Sequence, residues 1–159
     1  MTRNSSKMTR RRVLGIFAAG LVVPTFSASA ATSAILVHID PNCSCCSGWV
    51  RHLKDAGFAV TVEATANLQP VRKRLGVPAD LAACHTAEVG GYVLEGHVPA
   101  AAVRRLLEQR PTAVGLAVPG MPAGSPGMEG GAPQRYDVVL FGAGGRQSFM
   151  HFVGAENVG

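Results

Sequence analysis

Apolar residues run from Ala34 to Ile39, interrupted only by His38, and the run stops at Asp40-Pro41-Asn42. A near-continuous branched run that ends in turn residues predicts a buried strand. From Cys46 onward, Val50, Leu53 and Gly57 follow at intervals of four, three and four. That is the period of a helix with one apolar face, and Gly57 marks its end. Phe58 to Val62 predicts a second strand. Leu68 to Leu75 predicts a short helix stopped by Gly76 and Pro78, with the basic run Arg72-Lys73-Arg74 forming a solvated face. Tyr92 to Glu95 reads as a brief strand and Gly96-His97-Val98 as a turn. Pro99 then opens a helix whose Val103, Leu106 and Leu107 share one side. Tyr136 to Phe141 and Gln147 to Phe152, separated by Gly142-Ala143-Gly144-Gly145, predict a β-hairpin. Two stretches read as irregular: Cys84-His85 before Gly90-Gly91, and the segment from Gly115 to Pro133, rich in Pro and Gly and carrying Met121 and Met128. A loop of that length within a compact domain is usually functional or disordered.

Charge changes the picture only through the first thirty residues. Lys7 and Arg10-Arg11-Arg12 precede an apolar stretch from Val13 to Val23 and the small-residue pattern Ala28-Ser29-Ala30, the layout of an export signal at residues 1–30. Thr9 to Leu14 resembles a twin-arginine signal. Without this segment ten basic residues face ten acidic ones, and the formal charge falls from +5 to zero. No basic patch then argues for nucleic acid or an anionic surface. The apolar stretch is too short for a membrane span, so the expectation is an exported, periplasmic protein of residues 31–159 with no stable membrane insertion. About 129 residues suffice for one core without staples.

Candidate chemistry concentrates in Cys43-Ser44-Cys45-Cys46, with a fourth thiol in Cys84-His85. Three cysteines in four residues are poorly placed for structural disulfides. Cys43 and Cys46 have the C-x-x-C spacing, which puts the first at a helix N-terminus and the second in the first turn, where a thiolate is stabilised. Strand, cysteines and helix follow the order of a thioredoxin-like active site. One reading is therefore a thiol–disulfide oxidoreductase using Cys43 and Cys46. Cys45 is superfluous for that chemistry but useful to a soft metal, since thiolates select Cu(I), zinc or iron–sulfur clusters and can bridge several ions. Met thioethers favour copper, and the spacing does not match ferredoxin patterns. A zinc-stapled binding module held by four thiolates, or by three and a histidine, is a third reading. Among the histidines, His85 beside Cys84 and His97 near a helix start are candidate ligands. His38 reads as a core residue, His52 as lying on the outer face of the first helix, and His151 as a residue of the last strand. Trp49 reads as core packing or as a cover for the site.

Four blocks, taken together, carry a resemblance: Cys43-Ser44-Cys45-Cys46-Ser47-Gly48-Trp49, Cys84-His85-Thr86-Ala87, Gly91 to Ala100, and Gly115 to Pro122 with Gly124 to Glu129. In order and wording they resemble the bacterial CopG-like family, long described as a domain of unknown function. The resemblance covers nearly all of the mature chain and implies a periplasmic, single-domain α/β thioredoxin-like protein. It would have a small mixed sheet, an inserted strand–helix segment and a long Pro/Gly/Met loop. It also implies copper, as Cu(I) in a multinuclear site, with Cys43, Cys45, Cys46 and Cys84 as ligands and His85, His97, Met121 and Met128 behind them. The function implied is copper tolerance by sequestering or redox-cycling copper, with copper ions and other periplasmic copper-handling proteins as partners. A thioredoxin-like site also implies a cis-proline facing the cysteines, expected at Pro119, with Pro99 and Pro122 as competitors.

Overall fold

The structure is a computed structural model that describes residues 1–2 and 33–159, all of whose elements lie within the unit Ala31–Gly159. The expected export signal lies outside the described residues apart from its first two. In chain order the elements are β1 (Ile35–Ile39), α1 (Ser44–Asp55), β2 (Val60–Ala64), α2 (Gln69–Leu75), a 3₁₀ turn (Ala79–Leu81), β3 (His85–Val89), β4 (Tyr92–Glu95), α3 (Ala100–Gln109), β5 (Gly115–Ala117), β6 (Arg135–Gly142), β7 (Gly145–Val153) and β8 (Glu156–Asn157). The strands form one mixed sheet in the order β2-β1-β3-β4-β5-β6-β7-β8. Only the β1–β2 and β4–β5 pairs are parallel. Each is joined by a helical crossover, α1 for the first and α3 for the second, as parallel neighbours require.

The sheet separates two apolar layers. Trp49, Val50 and Leu53 of α1 and Val103 and Leu106 of α3 pack with Ile35, Val37, Ala87, Leu94 and Leu116. Alternation along the strands sends Val93, Ala117 and Phe141 to a smaller cluster with Leu75, Val77 and Leu81. Burying the Trp49 indole alone removes roughly 150–250 Å² from water, worth about 4–6 kcal/mol at about 25 cal/mol per Å². Its Nε1–H donates to the Val98 carbonyl at 2.9 Å and ties α1 to the turn before α3. Among the described residues no helix is long and apolar enough to cross a membrane.

Several expectations are corrected. Cys84-His85 is not all loop, because His85 opens β3. The strand was hidden because Thr86 and Glu88 look like surface residues yet bond to Glu95 and His38, which are distant in sequence. The segment from Gly115 is irregular only after Ala117, since Gly115–Ala117 is β5. A side chain at Gly115 would bring its Cβ within 1.9 Å of the Val93 carbonyl oxygen, so glycine permits the β4–β5 approach. The second strand lies two residues later than expected, leaving Phe58 buried before it. Arg72 is buried, unlike the solvated face its basic run suggested. Every described peptide bond is trans, so Pro119, Pro99 and Pro122 supply no cis-proline.

His52 also departs from expectation. Its Nε2 accepts the Ala100 N–H at 3.0 Å, filling an open donor at the start of α3. Burial holds its pKa below the ordinary value, opposed by Glu129 and Asp55. A histidine whose folded pKa is lowered contributes stability above its unfolded pKa and loses it as pH falls through the folded one. His52→Ala is therefore expected to cost about 1 kcal/mol at pH 7, the usual worth of a cap. The difference from wild type in urea midpoint should shrink as pH falls toward 5. A pH-independent difference would show that the imidazole does not act as the acceptor.

Candidate metal centre

Asp40-Pro41-Asn42 turns the chain out of β1, with the Asp40 carboxylate accepting the Asn42 N–H at 2.8 Å. The Cys43 N–H then bonds to the Asp40 carbonyl at 2.9 Å. Cys43 thus takes an extended conformation at the N-cap of α1, with Cys45 and Cys46 in the first turn. Cys43 and Cys46 are joined in a disulfide, while Cys45 and Cys84 are free thiols. Cys46 is fully buried and Cys43 half-buried, so reagents from solvent meet the pair at Cys43.

The fourth cysteine joins two groups of donors. Its Sγ lies 4.0 Å from Cys45 Sγ, which lies 3.5 Å from Cys43 Sγ. It also lies 3.3 Å from His85 Nδ1 and 3.2 Å from His97 Nε2. Two sets of mutually close ligand atoms result: the four sulfurs of Cys43, Cys45, Cys46 and Cys84, and the Cys84–His85–His97 group. Both contain only sulfur and imidazole nitrogen, donors that suit soft ions.

Each histidine is set by its neighbours. His97 Nδ1–H donates to the Pro126 carbonyl at 2.7 Å, leaving Nε2 as the lone-pair nitrogen facing Cys84. His85 packs against Trp49 with ring centroids 4.1 Å apart and planes tilted by 32°, so Trp49 both fills the core and covers the site. The His85 Nε2 atom is buried without a hydrogen-bond partner. Burial first, and then nearby His97, push the His85 pKa down to about 3, and burial also lowers that of His97. Both rings are therefore neutral, as metal ligands must be. Burial, followed by the neighbouring Cys45 thiol, pushes Cys84 up to about 12. In the metal-free form its proton stays on sulfur.

The loop after β5 closes on this arrangement. Gly127 meets Gly48 so closely that a Cβ at Gly48 would lie 2.9 Å from the Gly127 Cα. Met128 is half-buried in this loop, whereas Met121 is exposed and has a positive φ of 47°. A cleft of about 410 Å³ opens beside the centre, with Cys43 and Cys84 in its lining along with Asp40, Asn42, Asn67 and Arg72. His38 lies apart, between Glu63 and Glu88 at 3.1 Å each, and His151 pairs with Asp137 at 2.7 Å.

A solved structure titled copper resistance protein CopG, form 1, superposes with a TM-score of 0.71 at 46% identity, covering 76% of this chain and 98% of that one. The chain belongs to the CopG family. A second structure, titled form 2 of the same protein, matches at 44% identity with a TM-score of 0.68, covering 80% of this chain and 98% of that one. Residues 81–128, which hold Cys84, His85, His97, Met121 and Met128, match the family model described as a protein of unknown function, DUF411. No curated protein matches the chain. The CopG likeness thus extends well beyond the cysteine cluster.

Proposed function

We propose that the chain is exported by a signal at residues 1–30, and that residues 31–159 bind copper in the periplasm and contribute to copper tolerance. The observation that carries this reading is the position of Cys84, which belongs both to the four-sulfur group and to the group with His85 and His97. A thiolate can bridge ions, so the two groups form adjoining parts of one multinuclear Cu(I) site with Cys43, Cys45, Cys46, Cys84, His85 and His97 as ligands. Met121 and Met128 add thioethers from the loop. The framework is thioredoxin-like, a reading supported by β1 parallel to β2, antiparallel β3 and β4 beside β1, and the C-x-x-C pair at the start of α1. Copper suits the donor set, and the two solved structures described above bear the name copper resistance protein.

The Cys43–Cys46 disulfide favours a second reading, thiol–disulfide oxidoreductase, because the half-buried Cys43 and the fully buried Cys46 have the asymmetry that exchange needs. Cys45 or Cys84 would be the resolving thiol, and the two buried histidines have no part in it. A zinc-stapled module is less well supported, since the apolar core on both faces of the sheet extends far from the site.

The test is anaerobic titration of the mature protein with Cu(I), before and after reduction. Oxidised protein offers two free thiols and reduced protein four. Reduction is therefore expected to raise the number of Cu(I) ions bound per chain, with all four thiols then shielded from alkylation. Equal capacity in both states, with thiols still reactive, would refute a four-sulfur copper site. Catalysed insulin reduction by the metal-free protein would instead support the exchange reading.

A further inference from the structure

One buried charge pair beside the centre has no part in the reading above. Glu95 ends β4 with its carboxylate fully enclosed. It accepts three hydrogen bonds, from Arg72 Nε at 2.9 Å, the Ala83 N–H at 2.7 Å and Thr86 Oγ1 at 2.6 Å. Arg72 comes from α2, and its Nη2 donates to the Ala83 carbonyl. Both polar groups of Ala83 are thus held by opposite members of one ion pair. Cys84 is the next residue.

Thr86 and Glu95 are directly paired across β3 and β4, so both point to the face of the sheet opposite His85 and its neighbour Trp49. Two further contacts set the segment in place. The Gly96 N–H bonds to the His85 carbonyl at 3.1 Å, and a Cβ at Gly96 would lie 2.9 Å from that of Ala83. Glu95 therefore grips the segment before Cys84 on one face, through the Ala83 N–H, while His97, two residues further on, meets the Cys84 sulfur. Taking two charges out of water is poorly repaid by their attraction, and apolar replacements are often as stable. Stability alone does not account for this pair.

We infer that the Arg72–Glu95 pair is a positioning clamp for Cys84, fixing the sulfur shared by the two ligand groups through the backbone of Ala83. The clamp deepens the copper reading and rests on it for its effect on affinity. It also makes α2, which supplies no ligand, part of the site's support.

Arg72→Lys keeps the charge but loses the planar fork that reaches Glu95 and Ala83 together. The reduced, metal-free variant is expected to keep its fold by circular dichroism while Cys84 is alkylated severalfold faster relative to Cys45, as read by peptide mass mapping. Its Cu(I) affinity, measured by competition with a chelator, should fall about 10- to 100-fold, the usual effect of losing a group that orients a ligand. Thr86→Val removes one uncharged bond to the same carboxylate and should shift both readouts the same way by less. A general loss of stability would speed alkylation of Cys45 and Cys84 alike, so the ratio of the two rates isolates positioning. Wild-type ratios in Arg72→Lys would overturn the clamp, as would an unfolded Arg72→Lys alongside a Thr86→Val that keeps the wild-type ratio. Failure of the wild-type protein to bind Cu(I) would remove the copper reading and leave the alkylation ratio as the test of the clamp.

Discussion

Cys84→Ser is expected to lower Cu(I) affinity by more than about 100-fold, beyond the 10- to 100-fold typical of losing a partner outside the ligand shell. Cys84 belongs to both donor groups, so its loss leaves three sulfurs on α1 and two histidines with nothing to join them. Cys45→Ser removes a ligand from the four-sulfur group alone and should cost less. Serine keeps the size of the side chain, and its hydroxyl can donate to His97 Nε2 as the thiol does at 3.2 Å. The fold should therefore survive, as circular dichroism would check. Competition against a Cu(I) chelator gives the affinity, and metal analysis gives the number of ions retained. Unchanged affinity and full copper content in Cys84→Ser would defeat the view that this sulfur links the two halves of the centre.

The parts of this protein legible in the sequence are those governed by local pattern. β1, α1, α2, β4, α3 and the β6–β7 hairpin follow from runs, helical spacing and turn residues close to where they lie. β3 was missed because its polar residues are satisfied from other elements: Thr86 by Glu95, and Glu88 by His38 and Arg74. β5 was missed because its three residues include a glycine demanded by a neighbouring backbone, which looks the same in sequence as a loop glycine. Within the centre, the cysteine cluster is visible because its members are adjacent. His97 was a candidate ligand from its place near a helix start, but its meeting with Cys84 depends on β3 and β4 pairing as neighbours, which local sequence does not show. The Pro126 carbonyl that orients His97 is backbone, and no side chain signals it. Arg72 misled because two adjacent basic residues made it look like surface, when a buried carboxylate 23 residues away was its partner.

Gly127→Ala should produce the second large effect, because two constraints meet at this residue. Its φ of +89° lies in the region that L side chains avoid, a cost of about 1–3 kcal/mol. A Cβ there would also lie 2.7 Å from the Trp49 nitrogen and 2.8 Å from the Cys45 carbonyl oxygen. These are backbone atoms of the first turns of α1, which cannot retreat without disturbing the cysteines, so the loop must move instead. Displacing it draws the adjoining Pro126 carbonyl away from His97 Nδ1 and frees the ring to turn or change tautomer. Cu(I) affinity is then expected to fall about 10- to 100-fold, with a lower urea midpoint. Gly131→Ala separates the two constraints, since Gly131 has φ of +102° but open space around its Cβ position. That variant should show the backbone cost without the loss of affinity. If both variants bind Cu(I) as wild type does, the contact between the loop and α1 is packing alone. If only Gly127→Ala weakens binding, closure of the loop on the first turn of α1 is what holds His97 toward the shared sulfur.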